Sequence, residues 1–356
     1  MAKENIKIGC SAVLSGHEKV HGQAIVHAAQ LAVEQANKKG VLNTRLELVV
    51  DDDRDETAAA IEVAQRFVGT EQLIGVVGPM NSQAALAAAP IYQQADLVQI
   101  SPAASNPNLT SMGYSAFFRV VAHDNFQGMR AAEFVVSHLK MNKLGVIHDG
   151  STFGQPLSEV FAKRAEQLGA EILSLDVIRR GQQDYTKIAR KMAACQPDLI
   201  FFGVIEAEGL RLAPQLRQAG VTAIFFGTDG LKSSRYLETP QYPFAGPYHS
   251  NASTDINVKE SAWGFKNAFE HRFGPTYSVY SAEAFDAANI LINAIVRSNV
   301  VSRRSLMAQV ANTDNYPGIT GPISFDQNGD RKNPEIGFYE LRPNKVAFMG
   351  FDRDLY

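Results

Sequence analysis

The chain has 356 residues, is 45% hydrophobic and 20% charged, and carries a formal net charge of −3, which is ordinary for a soluble globular protein of one to three domains. So weak a charge, without any cluster of lysine and arginine among aromatic residues, argues against a nucleic-acid partner. The longest uncharged run begins at Pro79 and is broken by Pro90, so no membrane span is predicted.

Strand and helix patterns alternate through the first part of the chain. Periodicity predicts strands at 6–10, 46–50, 74–77 and 97–100, with helices at 22–39, 57–68 and 82–94 between them. Gly40 and Gly69 stop the first two helices. This order predicts a parallel sheet with helices on both faces.

The alternation then restarts, which predicts a second, similar α/β domain. Helices are expected at 126–139, 155–168, 184–194 and 206–219, and strands at 144–148, 171–177, 199–202 and 223–226. Two long helices follow at 258–273 and 282–298, then a short one at 305–311 and strands at 337–341 and 346–351. Cys10 and Cys195 lie far apart on different predicted elements, so a disulfide is not expected.

Small polar turns follow the predicted strands, as in Ser101-Pro102-Ala103-Ala104-Ser105. In open parallel sheets ligands bind beyond the carboxyl ends of the strands, and small residues let backbone N–H groups approach a ligand closely. Ser82 opens a helix whose first amides suit a carboxylate. Taken alone, Ser82 and Ser105 are more simply explained as residues that cap or turn the chain.

Several segments of this chain also occur, in the same order, in the members of one known protein family. They are Val13–Gly16, Val50–Asp52, Gly78–Ser82, Ser101–Ser105, Phe118–Arg119, His148–Gly154 and Gly321–Asp330. On these residues the chain resembles the leucine/isoleucine/valine-binding-protein family of type I periplasmic binding proteins, over about residues 5–350.

The resemblance implies an α/β fold of two Rossmann-like lobes with parallel central sheets, joined by three hinge crossings and closing over a small ligand. The N-terminal lobe would comprise 1–121 plus 250–326, and the C-terminal lobe 122–249 plus 327–356. The crossings would lie near Val120–Asp124, Tyr248–Ala252 and Asp326–Asp330, where Gly329 suits a change of backbone dihedral angles.

The resemblance also implies a set of ligand-binding residues. Ser82, Ala103 and Ser105, together with Ala104, would hold a carboxylate, and the Ala103 carbonyl would accept from an ammonium. Asp229 matches an acidic position that pairs with that ammonium. Phe153 would cover the α-carbon region, and the side-chain end of the ligand would meet His21, Tyr280, Ile205 and Glu206.

Some of these positions depart from the family pattern or allow other interpretations. Phe153 lacks a hydroxyl that is frequent there, and His21 and Ile205 stand where aromatic residues are common. Asp229 could instead cap a surface helix, and Glu206 could be a solvated helix start. An unpaired buried carboxylate is costly, which favours a bound cation at Asp229.

Metal sites and catalytic motifs are not expected. His17 and His21 are four residues apart, but Gly16 and Gly22 place them in a loop, and no third ligand is evident. The acidic run 51–53 lacks the spacing of a calcium loop. No nucleophile elbow, phosphate loop or dinucleotide fingerprint occurs, so the chain is not expected to be an enzyme or to hold a cofactor.

The sequence therefore predicts a periplasmic receptor of an ABC importer that captures an aliphatic or branched-chain amino acid and docks on a membrane permease with its ATPase subunits. No signal peptide precedes the first strand, so this location requires a leader that has been removed. An amide or an aromatic carboxylate is an alternative ligand. A cytoplasmic ligand-sensing regulator on the same fold is an alternative function.

Overall fold

The structure is a computed structural model that describes residues 5–16, 18–204, 206–229, 248–298, 300–342 and 345–355. The chain divides into two units. Unit 1 comprises residues 1–122 and 253–334, and unit 2 comprises residues 123–252 and 335–356. The chain thus passes from one unit to the other three times. The segment Asp326–Asp330, a predicted crossing, belongs wholly to unit 1.

The elements follow one another in α/β order. The strands are β1 (Ile6–Ala12), β2 (Leu46–Asp52), β3 (Leu73–Val77), β4 (Val98–Ser101), β5 (Phe117–Arg119), β6 (Lys143–His148), β7 (Glu171–Val177), β8 (Leu199–Gly203), β9 (Ile224–Gly227), β10 (Tyr248–Asn251), β11 (Tyr316–Gly318), β12 (Gly321–Ile323), β13 (Gly337–Arg342) and β14 (Lys345–Phe351). The helices are α1 (Lys19–Lys39), α2 (Thr57–Gly69), α3 (Ser82–Gln94), α4 (Asn108–Ser111), α5 (Asp124–Glu133), α6 (Gly154–Gln167), α7 (Thr186–Cys195), α8 (Glu206–Gln218), α9 (Trp263–Phe273), α10 (Ser281–Arg297) and α11 (Arg303–Ala311). A π-helical segment, Phe134–His138, extends α5.

Unit 1 is built on a five-stranded parallel sheet in the order β2-β1-β3-β4-β5. Cys10 of β1 lies beside Val50 of β2 and Val77 of β3. Side chains alternate between the two faces of each strand. Val77 therefore packs in the large core with residues of α1 and α10, while Val76 packs with residues of α2 and α3.

Unit 2 is built on a seven-stranded mixed sheet in the order β14-β13-β10-β9-β8-β6-β7. Strands β6 to β10 are parallel, whereas β13 is antiparallel to β10 and β14 to β13. Stacked phenylalanines fill its core, with Phe134 on Phe338 at 4.1 Å and Phe161 on Phe201 at 4.0 Å between ring centroids. The predicted α/β fold class with parallel central sheets is confirmed, with two antiparallel strands added in unit 2.

The first helix begins earlier than the sequence indicated. It starts at Lys19 rather than Gly22, so the prediction that His21 lies in a loop is wrong. Gly22 lies inside α1, where a Cβ atom would stand 1.8 Å from the Val13 carbonyl oxygen. The glycine therefore permits close packing of α1 on the chain after β1, and does not interrupt the helix.

Two further differences concern short or irregular segments. Four elements were not predicted from the sequence, namely β5, β10, the β11–β12 hairpin and α4. Helix α9 begins at Trp263, after a 3₁₀ turn at Glu260–Ala262, and not at Val258.

Cys10 and Cys195 are both free thiols. In the described part of the chain, no helix has the length and apolarity needed to cross a membrane.

Candidate functional site

Each unit has a point where the strand order reverses, which is where open α/β sheets bind ligands. In unit 1 this point lies between β1 and β3, and in unit 2 between β6 and β8. Glycines allow close backbone approach at both. A Cβ atom on Gly78 would stand 2.1 Å from the Ser11 oxygen, and one on Gly154 would stand 2.1 Å from the Gly203 oxygen. These two edges carry the predicted site residues.

Helix α3 presents its first amides without a side-chain cap. Its N-cap residue, Asn81, is extended and accepts no capping hydrogen bond. The first N–H groups of a helix lack internal partners and carry partial positive charge. The Ser82 hydroxyl lies in this first turn and accepts from the Asn106 N–H at 3.1 Å, which joins the helix to the loop after β4. This end of unit 1 is suited to a carboxylate.

Ser101 organises the loop after β4. Its hydroxyl accepts from the amides of Ala103 at 3.3 Å and Ala104 at 2.9 Å, and donates to the Pro79 carbonyl at 2.7 Å. Among the described residues, Ser105 makes no hydrogen bond through its amide or its hydroxyl. Ser105 therefore keeps donors for a ligand, whereas the Ala104 amide is already satisfied within the loop.

Arg119 supports the same loop from beneath. It is fully buried, and its Nη1 donates to the carbonyls of Ala104 at 3.0 Å and Asn106 at 2.9 Å. Its Nη2 donates to Thr110 Oγ1 at 2.8 Å, and its Nε donates to Asp330 Oδ1 at 2.5 Å. A guanidinium is well suited to hold several carbonyl and carboxylate groups at once, so Arg119 fixes the backbone on which Ala103 and Ser105 stand.

His21 and Tyr280 lie near one another on α1 and at the start of α10. His21 Nδ1 forms a hydrogen bond with Ser278 Oγ, and both residues are half-buried. Tyr280 directly precedes α10 and has a left-handed backbone, with φ of 66°. Such a backbone is costly for a tyrosine and is held by its surroundings. The structure thus brings these two predicted residues together in unit 1.

In unit 2 the turn after β6 is rigidly bonded. Asp149 Oδ1 accepts from the Ser151 amide at 3.0 Å and hydroxyl at 2.5 Å, and the Ser151 hydroxyl accepts from the Gly154 amide at 2.9 Å. The half-buried Phe153 lies in this turn, directly before α6. Ile205 lies outside the described residues, and Glu206 is the first residue of α8.

Asp229 lies just beyond β9, and its carboxylate is held by a side chain that the sequence analysis did not identify. Gln127 Nε2 donates to Asp229 Oδ1 at 2.8 Å and to Ser250 Oγ at 3.1 Å. Asp229 is half-buried, and the pairing of its carboxylate with a bound cation stays a prediction. A neutral amide orients the carboxylate and adds no positive charge of its own.

The acidic run at the end of β2 has a structural role. Asp53 is buried and accepts from the Ser11 hydroxyl at 2.7 Å, while burial raises the pKa of its carboxyl. Asp52 accepts from the Leu14 amide at 2.9 Å, which fixes the loop after β1. No group of three or more His, Cys, Asp or Glu side chains able to hold a metal occurs among the described residues.

Known proteins resemble this chain in sequence. A family model described as "Periplasmic binding protein" matches residues 5–345. A protein named "Amino acid binding protein" from Pseudomonas aeruginosa is 31% identical over 245 residues, which cover 68% of this chain and 66% of that protein. The leucine-, isoleucine-, valine-, threonine- and alanine-binding protein of the same organism is 26% identical over 96% of this chain and 91% of its own length.

Solved structures resemble it in fold over nearly the whole chain. A leucine-binding protein from Thermotoga maritima superposes with a TM-score of 0.86 at 25% identity, covering 97% of this chain and 98% of its own. A branched-chain amino acid transporter substrate-binding protein from Streptococcus pneumoniae, in complex with isoleucine, has a TM-score of 0.83 at 26% identity and covers 98% of this chain and 99% of its own.

Proposed function

Since this chain belongs to the periplasmic binding protein family, as its resemblance predicted, we propose that it is the substrate-binding receptor of an ABC importer and that its ligand is an amino acid with an aliphatic or branched side chain. The names of its relatives support this class of ligand, since they refer to amino acids in general or to leucine, isoleucine and valine. These relatives are binding proteins and not enzymes.

The observation that carries the proposal is the state of Asp229. The Gln127 amide donates to one oxygen of this carboxylate and fixes its direction, and a ligand ammonium is a suitable partner for a carboxylate held in this way. The first turn of α3 and the unbonded donors of Ser105 offer complementary groups for a ligand carboxylate. A zwitterionic α-amino acid carries both charges, whereas a simple carboxylic acid offers Asp229 no ammonium.

The remaining binding roles follow the resemblance. Ser82 and the Ala103 carbonyl would complete the contacts to the two charged groups. Phe153 would cover the α-carbon region of the ligand. The side-chain end of the ligand would be contacted by His21, Tyr280, Ile205 and Glu206. We place the protein in the periplasm, with a membrane permease and its ATPase subunits as partners, because the matching family is described as periplasmic and the isoleucine-bound neighbour as a transporter component.

Isothermal titration calorimetry against amino acids, amides and aromatic acids tests the proposal. We expect tight binding of an aliphatic amino acid. Asp229→Asn should weaken it at least about tenfold, because a hydrogen bond to a charged group contributes roughly 1.5–3 kcal/mol. Asp184→Asn, which changes an exposed carboxylate in the same unit, should leave the affinity unchanged.

Two results would overturn the proposal. Binding of an aromatic acid or an amide, with no amino acid bound, would replace the ligand class. Equal affinity of Asp229→Asn and the wild-type protein for the amino acid would remove the ammonium role. A folded protein that binds no member of the panel, and whose gene encodes no leader, would favour the cytoplasmic regulator.

A further inference from the structure

Gln127 occupies an unusual position in unit 2. It lies in the first turns of α5, and its side chain is fully buried. Its Nε2 donates to two acceptors on different elements, Asp229 Oδ1 at 2.8 Å and Ser250 Oγ at 3.1 Å. A primary amide nitrogen carries two hydrogens, so both of its donors are used.

The rest of the side chain gains nothing from being polar. Gln127 Oε1 is buried and has no hydrogen-bond partner among the described residues. A buried polar atom without a partner is unfavourable, and a methionine of similar size would avoid it. The value of glutamine at this position therefore lies in its two donated hydrogen bonds.

The choice of a neutral donor matters for the carboxylate. An arginine or lysine at this position would form an ion pair with Asp229 and neutralise the charge that an ammonium requires. An amide holds one carboxylate oxygen in a fixed direction and adds no positive charge beside it. Preorganised groups of this kind bind a ligand charge without first having to be ordered.

The same amide also joins Asp229 to the parts of unit 2 next to two chain crossings. Helix α5 begins directly after the crossing at residues 122–123, and Ser250 lies in β10, just before the crossing at residues 252–253. Strand β10 pairs with β9, whose end carries the loop of Asp229. One side chain thus bonds the candidate ammonium site to both segments.

We propose that Gln127 is the positioning residue that aims Asp229 at the ligand ammonium, so that it determines how strongly the protein prefers an amino acid over the same molecule without its amino group. The inference rests on the proposed function and adds a residue to it. It assigns Gln127 no contact with the ligand: its effect reaches the ligand through Asp229.

The test compares two probes that differ only in the amino group, L-leucine and 4-methylpentanoate, by calorimetry with displacement where binding is weak. Gln127→Met keeps the volume and removes both donors. We expect it to lose about tenfold in affinity for leucine and less than about twofold for 4-methylpentanoate. Ser250→Ala, the matched control, keeps the bond to Asp229 and should change both affinities equally and by little.

Gln127→Glu provides a second measurement that does not depend on Gln127→Met folding. Two facing carboxylates share a proton, which raises the pKa of the pair. Leucine affinity should therefore rise with pH in Gln127→Glu as the shared proton is lost, and more steeply than in the wild-type protein. 4-Methylpentanoate should show no such rise.

The outcomes separate the two proposals. If the wild-type protein binds leucine but Gln127→Met weakens both probes equally, or neither, Gln127 only supports the fold and the inference is wrong. A flat pH profile for leucine in Gln127→Glu would also refute it. If the wild-type protein binds no amino acid, the proposed function fails, and the role of Gln127 fails with it.

Discussion

Removing the Arg119 guanidinium should destabilise unit 1 far more than removing an exposed arginine. Arg119→Met keeps much of the side-chain volume but leaves Asp330 without its cation and the Ala104 carbonyl without its donor. It also removes one of the two donors to the Asn106 carbonyl, which keeps the Leu109 amide at 3.3 Å. Breaking a buried ion pair by removing one partner costs about 3–5 kcal/mol. Since 1 kcal/mol shifts Tm by about 2–4 °C in a unit of roughly 200 residues, we expect a loss of about 6–20 °C.

The control is Arg304→Met. Arg304 donates to Asp96 at 2.8 Å, but its side chain is 81% exposed. Exposed pairs contribute less than about 1 kcal/mol, so Tm should fall by no more than about 4 °C. Differential scanning calorimetry and urea unfolding measure both variants.

A second substitution distinguishes the effect of the uncompensated carboxylate from the effect of the lost hydrogen bonds to the loop carbonyls. Adding Asp330→Asn to Arg119→Met removes the uncompensated carboxylate and should recover part of the loss. If Arg119→Met is no less stable than Arg304→Met, the buried hydrogen bonds of Arg119 do not stabilise unit 1 and the reasoning fails.

Two further changes test packing and a buried acid. Gly22→Ala should destabilise the protein by at least about 1–3 kcal/mol, because the new Cβ atom would stand 1.8 Å from the Val13 oxygen. The control, Gly264→Ala, lies in open space on α9 and should stabilise the protein by up to about 1 kcal/mol. Equal urea midpoints for the two variants would contradict this prediction. Burial raises the pKa of Glu283 to about 7, although it accepts from the Thr254 amide at 2.5 Å. The folded protein therefore holds a proton that the unfolded chain releases near pH 4.5, and stability from this group is lost as pH rises from about 4.5 to 7. Glu283→Gln should remove that loss of stability, which is of order 3 kcal/mol. The raised pKa of Glu283 would be disproved if the difference in stability between Glu283→Gln and the wild-type protein did not grow over this pH range.

The fold could be predicted from the sequence where elements are long and periodic. Helix α3 has the predicted bounds, and β7 does too, because apolar spacing and flanking turns specify them locally. Strands β5 and β10 escaped prediction for a physical reason. The first has three residues, and the second buries Ser250 and Asn251, so its pattern resembles that of a loop.

In the candidate site, too, some features could be predicted from the sequence and others could not. Its loops were predictable because a parallel sheet brings the carboxyl ends of its strands to one edge. The residues that support them were not, because their partners are remote in the chain: Gln127 is 102 residues from Asp229, and Arg119 is 211 residues from Asp330. Gly22 was misinterpreted because its role depends on close packing against Val13, which periodicity does not reveal.

Both units are discontinuous in sequence, and this has a consequence for biosynthesis. Unit 1 cannot be completed until residues 253–334 have left the ribosome, and unit 2 needs the strands that lie after Pro334. Pairing segments this remote requires closing long loops, which slows folding. The nascent chain therefore stays incompletely folded until strands β13 and β14 have been synthesised.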